Sequence, residues 1–192
     1  MHLQKIRPSK MSSLFAKVAF YPTLTYTYLM TKVSSRRWYD RVDETVLIGA
    51  LPMKWVIKQL VTDENVKAMV SVTEDFETKQ VGLTIQELQS LGVDHLQLST
   101  VDYVGTPSQD NIVTAINFIS DHKRQGHSVY VHCKAGRTRS ATVVACYLCH
   151  ANGWTPEESV KFIKSKRPHV WLRDKQWNSV RQFYLSLKPS TV

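Results

Sequence analysis

Cysteine is scarce in this chain. Its three residues, Cys133, Cys146 and Cys149, are an odd number, so no disulfide framework is implied and a reducing compartment is expected. Cys146 and Cys149 form a C-x-x-C, but no second ligand pair stands at zinc spacing, and the two read as small core residues on a helix. A long uninterrupted apolar run is missing too. The nearest, Leu14 to Met30, is broken by Lys17, Pro22, Thr23, Thr25 and Thr27 and falls short of a membrane span. Leu14, Phe15, Val18 and Ala19 suit an amphipathic helix lying on a membrane with Lys17 at its edge. The aromatic and β-branched part after Pro22 equally suits packing against the folded domain.

Acidic residues are absent from the first 39 positions, which hold Lys5, Arg7, Lys10, Lys17, Lys32, Arg36 and Arg37. The formal charge of +9 is therefore uneven: without those seven the rest has 18 basic against 16 acidic residues. A nucleic-acid binder carries its excess on the folded body, so no nucleic-acid partner is expected. The extension, rich in Lys, Arg, Ser and Thr, has the composition of a mitochondrial transit segment, against the plainer reading of a basic tail for acidic surfaces. Composition turns globular at Trp38 and Tyr39. Residues 1–37 are thus expected to be a targeting or membrane-associated segment and residues 38–192 a single domain of sufficient size to bury its own core.

Within that domain, strands are expected at Val46 to Leu51, Ala68 to Thr73, His95 to Thr100 and Val129 to Cys133. Pro52 suits the first turn of a helix reaching about Val61, and Thr84 to Leu91 suits another, stopped by Gly92. The acidic cluster Glu74, Asp75, Phe76, Glu77 reads as a loop after its strand, and Val101 to Pro107 as another. Ile112, Ala115, Ile116 and Ile119 mark one buried helical face. Ser140 to Asn152 is helical, Thr155-Pro156-Glu157-Glu158 opens a helix that Pro168 ends, and Arg173 to Leu187 forms the last. Strands alternating with helices predict an α/β fold, a mainly parallel central sheet flanked by helices, with a site at the carboxyl ends of its strands.

The chemistry concentrates in His132-Cys133-Lys134-Ala135-Gly136-Arg137-Thr138-Arg139-Ser140, between a strand and a helix. Five residues separate Cys133 from Arg139, few enough for a loop whose backbone N–H groups converge beside the sulfur. Residues 134–138 thereby make a phosphate cradle, to which the helix N-terminus adds its positive dipole end and Arg139 a planar fork. All of these favour negative charge, so they lower the thiol pKa and leave Cys133 a thiolate able to attack phosphorus. The bland alternative, a buried cysteine ending a core strand, leaves His, Cys, Gly, Arg and Ser at fixed offsets unexplained. His132 precedes Cys133 on a strand and points to the opposite face, which suits a role in holding the loop. Asp102, in a loop after a neighbouring strand, is the better candidate for a general acid and base. Lys134 and Arg137 add positive charge suited to a substrate with more than one acidic group.

His132-Cys133, five residues, then Arg139-Ser140 resembles the signature of the protein tyrosine phosphatase superfamily. The aspartate loop 31 residues upstream resembles its dual-specificity branch. Tyr21-Pro22-Thr23-Leu24, Trp38-Tyr39, Val46 to Pro52, Glu74 to Thr78 and Leu98 to Asp102 are similar to the mitochondrial phosphatases that act on phosphatidylglycerophosphate, on the route to cardiolipin. The resemblance implies the cysteine-phosphatase fold and a phosphocysteine intermediate. It gives Cys133 as nucleophile, Arg139 for phosphate and transition-state binding, Asp102 as acid and then base, and Ser140 to stabilise the departing thiolate. It implies no metal or other cofactor, an anionic phospholipid substrate, and a mitochondrial location at the inner membrane surface. It also implies that Glu74 and Glu77 help fix Arg139 and the loop. The family's acidic motif reads Glu-Glu-Tyr-Glu, and this chain has Phe76 without the hydroxyl. Phosphoinositides, phosphoproteins, and a phosphate-binding module without turnover are the alternatives.

Overall fold

The computed structural model describes residues 20–81, 84–102 and 105–188. One sheet holds β1 (Tyr39–Arg41), β2 (Val46–Gly49), β3 (Val66–Ser71), β4 (Asp94–Gln97) and β5 (Ser128–His132), in the order β1-β2-β5-β3-β4. β2, β5, β3 and β4 run parallel, and β1 lies antiparallel on the edge of β2. The described helices are α1 (Phe20–Val33), α2 (Lys54–Thr62), α3 (Asp75–Val81), α4 (Ile85–Ser90), α5 (Gln109–Arg124), α6 (Arg139–Asn152), α7 (Pro156–Lys166) and α8 (Asp174–Ser186).

The alternation along each strand divides the core in two. Val46, Ile48, Val70, Val129 and Val131 pack under α5 to α8, while Leu47, Met69 and Tyr130 pack under α2 and Leu88. Both faces of the central strands are thus covered, which is why β5 reads as an unbroken apolar run. Cys146 and Cys149 lie buried on α6 in the first of these cores, where burial raises both thiols.

Three local departures from expectation have physical causes. The acidic cluster is not a loop: Asp75 and Glu77 sit in the first turn of α3, where carboxylates are favoured by the helix dipole. Pro52 does not open α2, which starts after Met53. The chain before it stays extended because Ala50 N–H donates to the Trp38 carbonyl (3.0 Å) and Leu51 N–H to that of Lys134 (3.2 Å). β1, three residues long, was not foreseen. The segment after Pro22 packs against the domain in α1, where Leu24 is buried beside Trp38, Leu51 and Val56. Leu14, Phe15, Val18 and Ala19 lie outside the described residues, and no described helix is long and apolar enough to cross a membrane.

Topology gathers the site. The parallel strands all end at one edge of the sheet, delivering Ala50 after β2, Glu74 after β3, Asp102 after β4 and Cys133 after β5. Because β1 runs the other way, its beginning, preceded by Arg36 and Arg37, lies at that same edge.

Candidate active site

The loop from Cys133 to Thr138 is shaped from behind. Its carbonyls are engaged on the outer side: His132 by Val72 N–H (2.8 Å), Lys134 by Leu51 N–H (3.2 Å) and Arg137 by Trp171 N–H (3.0 Å). Arg167 donates to the carbonyls of Gly136 (2.8 Å) and Ala135 (3.3 Å). A planar peptide that turns its carbonyl outward turns the N–H that it carries inward, so these bonds build a concave row of donors. Thr138 caps α6 without a side-chain bond to the helix, its hydroxyl donating instead to the Trp171 carbonyl (3.1 Å). The first N–H groups of α6 remain directed at the cradle. Gly136 adopts a φ of 64°, and a Cβ there would collide with the backbone of Gly49.

Inside the cradle, Cys133 Sγ lies 3.3 Å from Ser140 Oγ. Burial pushes the thiol up, but Arg139, the Ser140 hydroxyl and the backbone N–H groups of Ser140 and Arg137 together outweigh it and leave the thiol below its ordinary value. Arg139 is itself buried. Its Nη1 donates to Glu77 Oε2 (2.7 Å) and the Thr100 carbonyl (2.8 Å), and its Nη2 to Glu77 Oε1 (3.2 Å). Asp102 Oδ1 stands 2.9 Å from Nη2, and Lys134 Nζ meets the other oxygen of Asp102. Burial disfavours the Arg139 cation, yet Asp102 and Glu77 more than compensate, and its pKa is raised. The result is a nucleophile, a fixed cation and a carboxylate around one cavity of about 180 Å³, which Cys133, Asp102 and Arg139 all line.

A family model for the dual specificity phosphatase catalytic domain matches residues 53–185. The chain belongs to the dual-specificity phosphatase family. It is 45% identical over 172 residues to the human "Phosphatidylglycerophosphatase and protein-tyrosine phosphatase 1", covering 88% of this chain and 86% of the human one. It is 40% identical over 171 residues to the Arabidopsis thaliana "Phosphatidylglycerophosphate phosphatase PTPMT1", covering 88% of this chain and 49% of the plant one. A crystal structure of PTPMT1 in complex with PI(5)P matches with a TM-score of 0.77 at 41% identity, over 79% of this chain and 97% of that one. The protein is a cysteine-dependent phosphatase.

The supporting residues of the phosphatase divide by what they hold. Glu77, buried, fixes Arg139 directly, and its Oε2 also accepts from Glu74 N–H (2.9 Å). The Glu74 carboxyl accepts from the backbone of Asp102, so it braces the acid loop. Burial, followed by the charge of Glu77, raises the Glu74 pKa. Phe76 packs on the core of Leu47 and Tyr130, a contact that needs no hydroxyl. His132 lies behind the loop, its Nε2 2.7 Å from Ser71 Oγ, which in turn lies 2.8 Å from His95 Nε2. Burial, with the nearby His95 and Arg139, holds its pKa down to about 3, so it is a neutral hydrogen-bonding group. Lys134 is buried against Asp102, Arg137 donates from Nε to the His169 carbonyl (3.0 Å), and both line the cavity. Gln176 donates to the Gly105 carbonyl (3.0 Å), tethering the far end of the Asp102 loop, and Arg173 lines the cavity.

Arg167 was missed by sequence reasoning. It is buried, paired to Asp40 Oδ2 at 2.6 Å, and grips two carbonyls of the cradle. An arginine before a proline at a helix end carries no local signal of this. α1 was also not foreseen at the site: Thr23, Tyr26, Thr27, Met30 and Thr31 line the same cavity as Cys133.

Proposed function

We propose that the phosphatase hydrolyses the phosphomonoester of phosphatidylglycerophosphate to phosphatidylglycerol, at a mitochondrial membrane. The observation that carries this reading is 45% identity to a human phosphatidylglycerophosphatase across 88% of the chain. The Cys133 thiolate attacks phosphorus, forming a P–S bond as the P–O bond to the glycerol breaks. Arg139 and the inward N–H groups stabilise the equatorial oxygens. An entering phosphate competes with Asp102 for Arg139, and Asp102, in its protonated form, passes its proton to the leaving alkoxide. Asp102 then takes a proton from water, which attacks phosphorus and breaks the P–S bond, while the Ser140 hydroxyl stabilises the departing sulfur. Each step balances with the chain's own side chains and water.

The membrane reading rests on charge and on α1. Tyr21, Tyr28, Leu29 and Val33 are exposed on that helix beside the cavity mouth, with Trp171 exposed across from it, and Arg36, Arg37 and Lys32 lie nearby in the chain. Aromatic and aliphatic side chains among basic ones suit an anionic lipid surface. The acid-free composition of residues 1–37 supports mitochondrial targeting.

A phosphoinositide is the second reading, favoured by the similarity to PTPMT1, whose crystal structure holds PI(5)P. Turnover of phosphatidylglycerophosphate, a phosphoinositide and a phosphotyrosine peptide, measured with the wild type and with Cys133→Ser, separates these readings. The expected order has phosphatidylglycerophosphate first and no phosphate release by Cys133→Ser. A preference for the peptide would sink the lipid assignment.

A further inference from the structure

The substrate reading leaves one part of the molecule without a role. Phosphatidylglycerophosphate carries two phosphates separated by a single glycerol: the monoester that is cleaved and a phosphodiester that is not. The cradle at Cys133 accounts for the first. The residues that reach the cavity from outside the cradle are therefore the ones to search for a counterpart to the second.

Arg36, Arg37, Arg137, Arg167 and Arg173 line the cavity beside Arg139. Arg36 lines the cavity from the segment before β1, and Arg137 lines it from the outer rim of the loop. Both are half-buried, and among the described residues neither is paired with a carboxylate. The neighbouring cations differ in this respect: Arg37 and Arg167 share Asp40, and Arg139 and Lys134 share Asp102. Arg36, Arg137 and His169 line the same cavity, and burial with the charges of Arg167, Arg36 and Arg137 holds His169 down to about 3. His169 is thereby neutral and adds no further positive charge.

The position of Arg36 is fixed by the fold. β1 pairs antiparallel with β2, so the chain entering β1 must come in over the carboxyl ends of the parallel strands. Leu24 anchors α1 in the core beneath α2, and Thr23, Thr27 and Thr31 form one helical row along the cavity wall. Tyr26 and Met30 line the cavity beside this row, so α1 itself brings no charge to the wall. Its charge sits at one end, at Arg36.

We propose that Arg36, together with Arg137, is the subsite for the second phosphate of the lipid, making the segment from α1 to Arg36 a specificity-determining part of the site. The proposal rests on the phosphatidylglycerophosphate reading. Two guanidinium groups without a carboxylate partner at a half-buried rim bind a phosphodiester by charge-assisted hydrogen bonds, with little competition from internal acids. A phospholipid with only the monoester gains nothing from them.

The test uses the full chain and short-chain, monomeric lipids, which removes any contribution from membrane binding. The quantity measured is kcat/KM for dihexanoyl phosphatidylglycerophosphate divided by that for dihexanoyl phosphatidic acid, which has the monoester alone. Arg36→Gln is expected to lower this ratio about tenfold, mainly through KM, and Arg36→Lys to retain most of it. A wild type that discriminates the lipids but is matched by Arg36→Gln overturns the subsite alone. A wild type that does not discriminate them overturns the substrate reading and the subsite with it.

Discussion

Two buried arginines flank the same loop, Arg139 inside it and Arg167 behind it, and they are held differently. Arg139, within the cradle, has two carboxylates, Glu77 and Asp102, and one carbonyl. Arg167, behind it, has Asp40 and a set of backbone carbonyls, those of Gly136, Ala135 and Arg37 among them. The inner side therefore contains a partner that can be exchanged, since a phosphate can replace Asp102 on Arg139. The outer side contains none. Chemistry and shape are assigned to different guanidinium groups, and a substitution should report which side it touches.

The largest expected effect belongs to the inner side. Asp102→Asn keeps the size of the side chain and removes its proton exchange, so kcat should fall by about 10²–10⁴ for an alkyl phosphate, with the unfolding midpoint nearly unchanged. Steady-state kinetics beside a urea titration checks both halves of this statement. A large loss of stability would mean that Asp102 is part of the scaffold and would erase the contrast.

Next is the outer side. Arg167→Met leaves Asp40 buried with only the largely exposed Arg37 as partner, and should cost about 3 kcal/mol of stability. The double variant Arg167→Met, Asp40→Leu removes the orphaned charge and should recover most of that stability, as read by denaturant unfolding. If shape is the role of Arg167, kcat/KM stays low in the double variant even when the fold is restored. Full recovery of rate would make Arg167 a mere partner for Asp40.

The smallest effect concerns pH. The folded thiol of Cys133 lies below its ordinary value, so the thiolate forms, and kcat/KM rises, as pH increases through the acid limb. Removing the Ser140 hydroxyl removes one of the influences that lower the thiol. Ser140→Ala should therefore shift the acid limb to higher pH, measurable as a kcat/KM profile on a small aryl phosphate. A shift to lower pH, or none, contradicts the role given to that 3.3 Å contact.

What was legible in the sequence was what is local or periodic. Cys133 and Arg139 are joined by one short loop, and Ile112, Ala115, Ile116 and Ile119 by one helical face, so spacing alone carries their geometry. Asp102 was legible because parallel strands end at the same edge, although β4 is not the neighbour of β5 that was expected and β3 lies between them. Arg167 and Asp40 are 127 residues apart, and nothing near either marks the pairing. β1 is too short to show alternation. It is defined by its neighbour, through the register Tyr39 to Gly49 and Arg41 to Leu47. Arg36 was hidden for another reason. In a run of basic residues with no acid, its charge reads as part of an address, and only the antiparallel turn of β1 reveals that it faces the cavity.

Because the loop is held from behind by distant parts of the chain, the thiol is different before the fold exists. Every influence that lowers Cys133 comes from residues of the folded cradle: the Arg139 cation, the Ser140 hydroxyl and inward-facing amides. Those amides face inward because Arg167 and Trp171, some thirty residues further along the chain, hold their carbonyls outward. A growing or extended chain thus carries an ordinary protonated cysteine, slow to react with oxidants and electrophiles. The reactive thiolate comes into being only when Arg167 and Trp171 have docked behind the loop, at the moment when a buried site exists to shelter it.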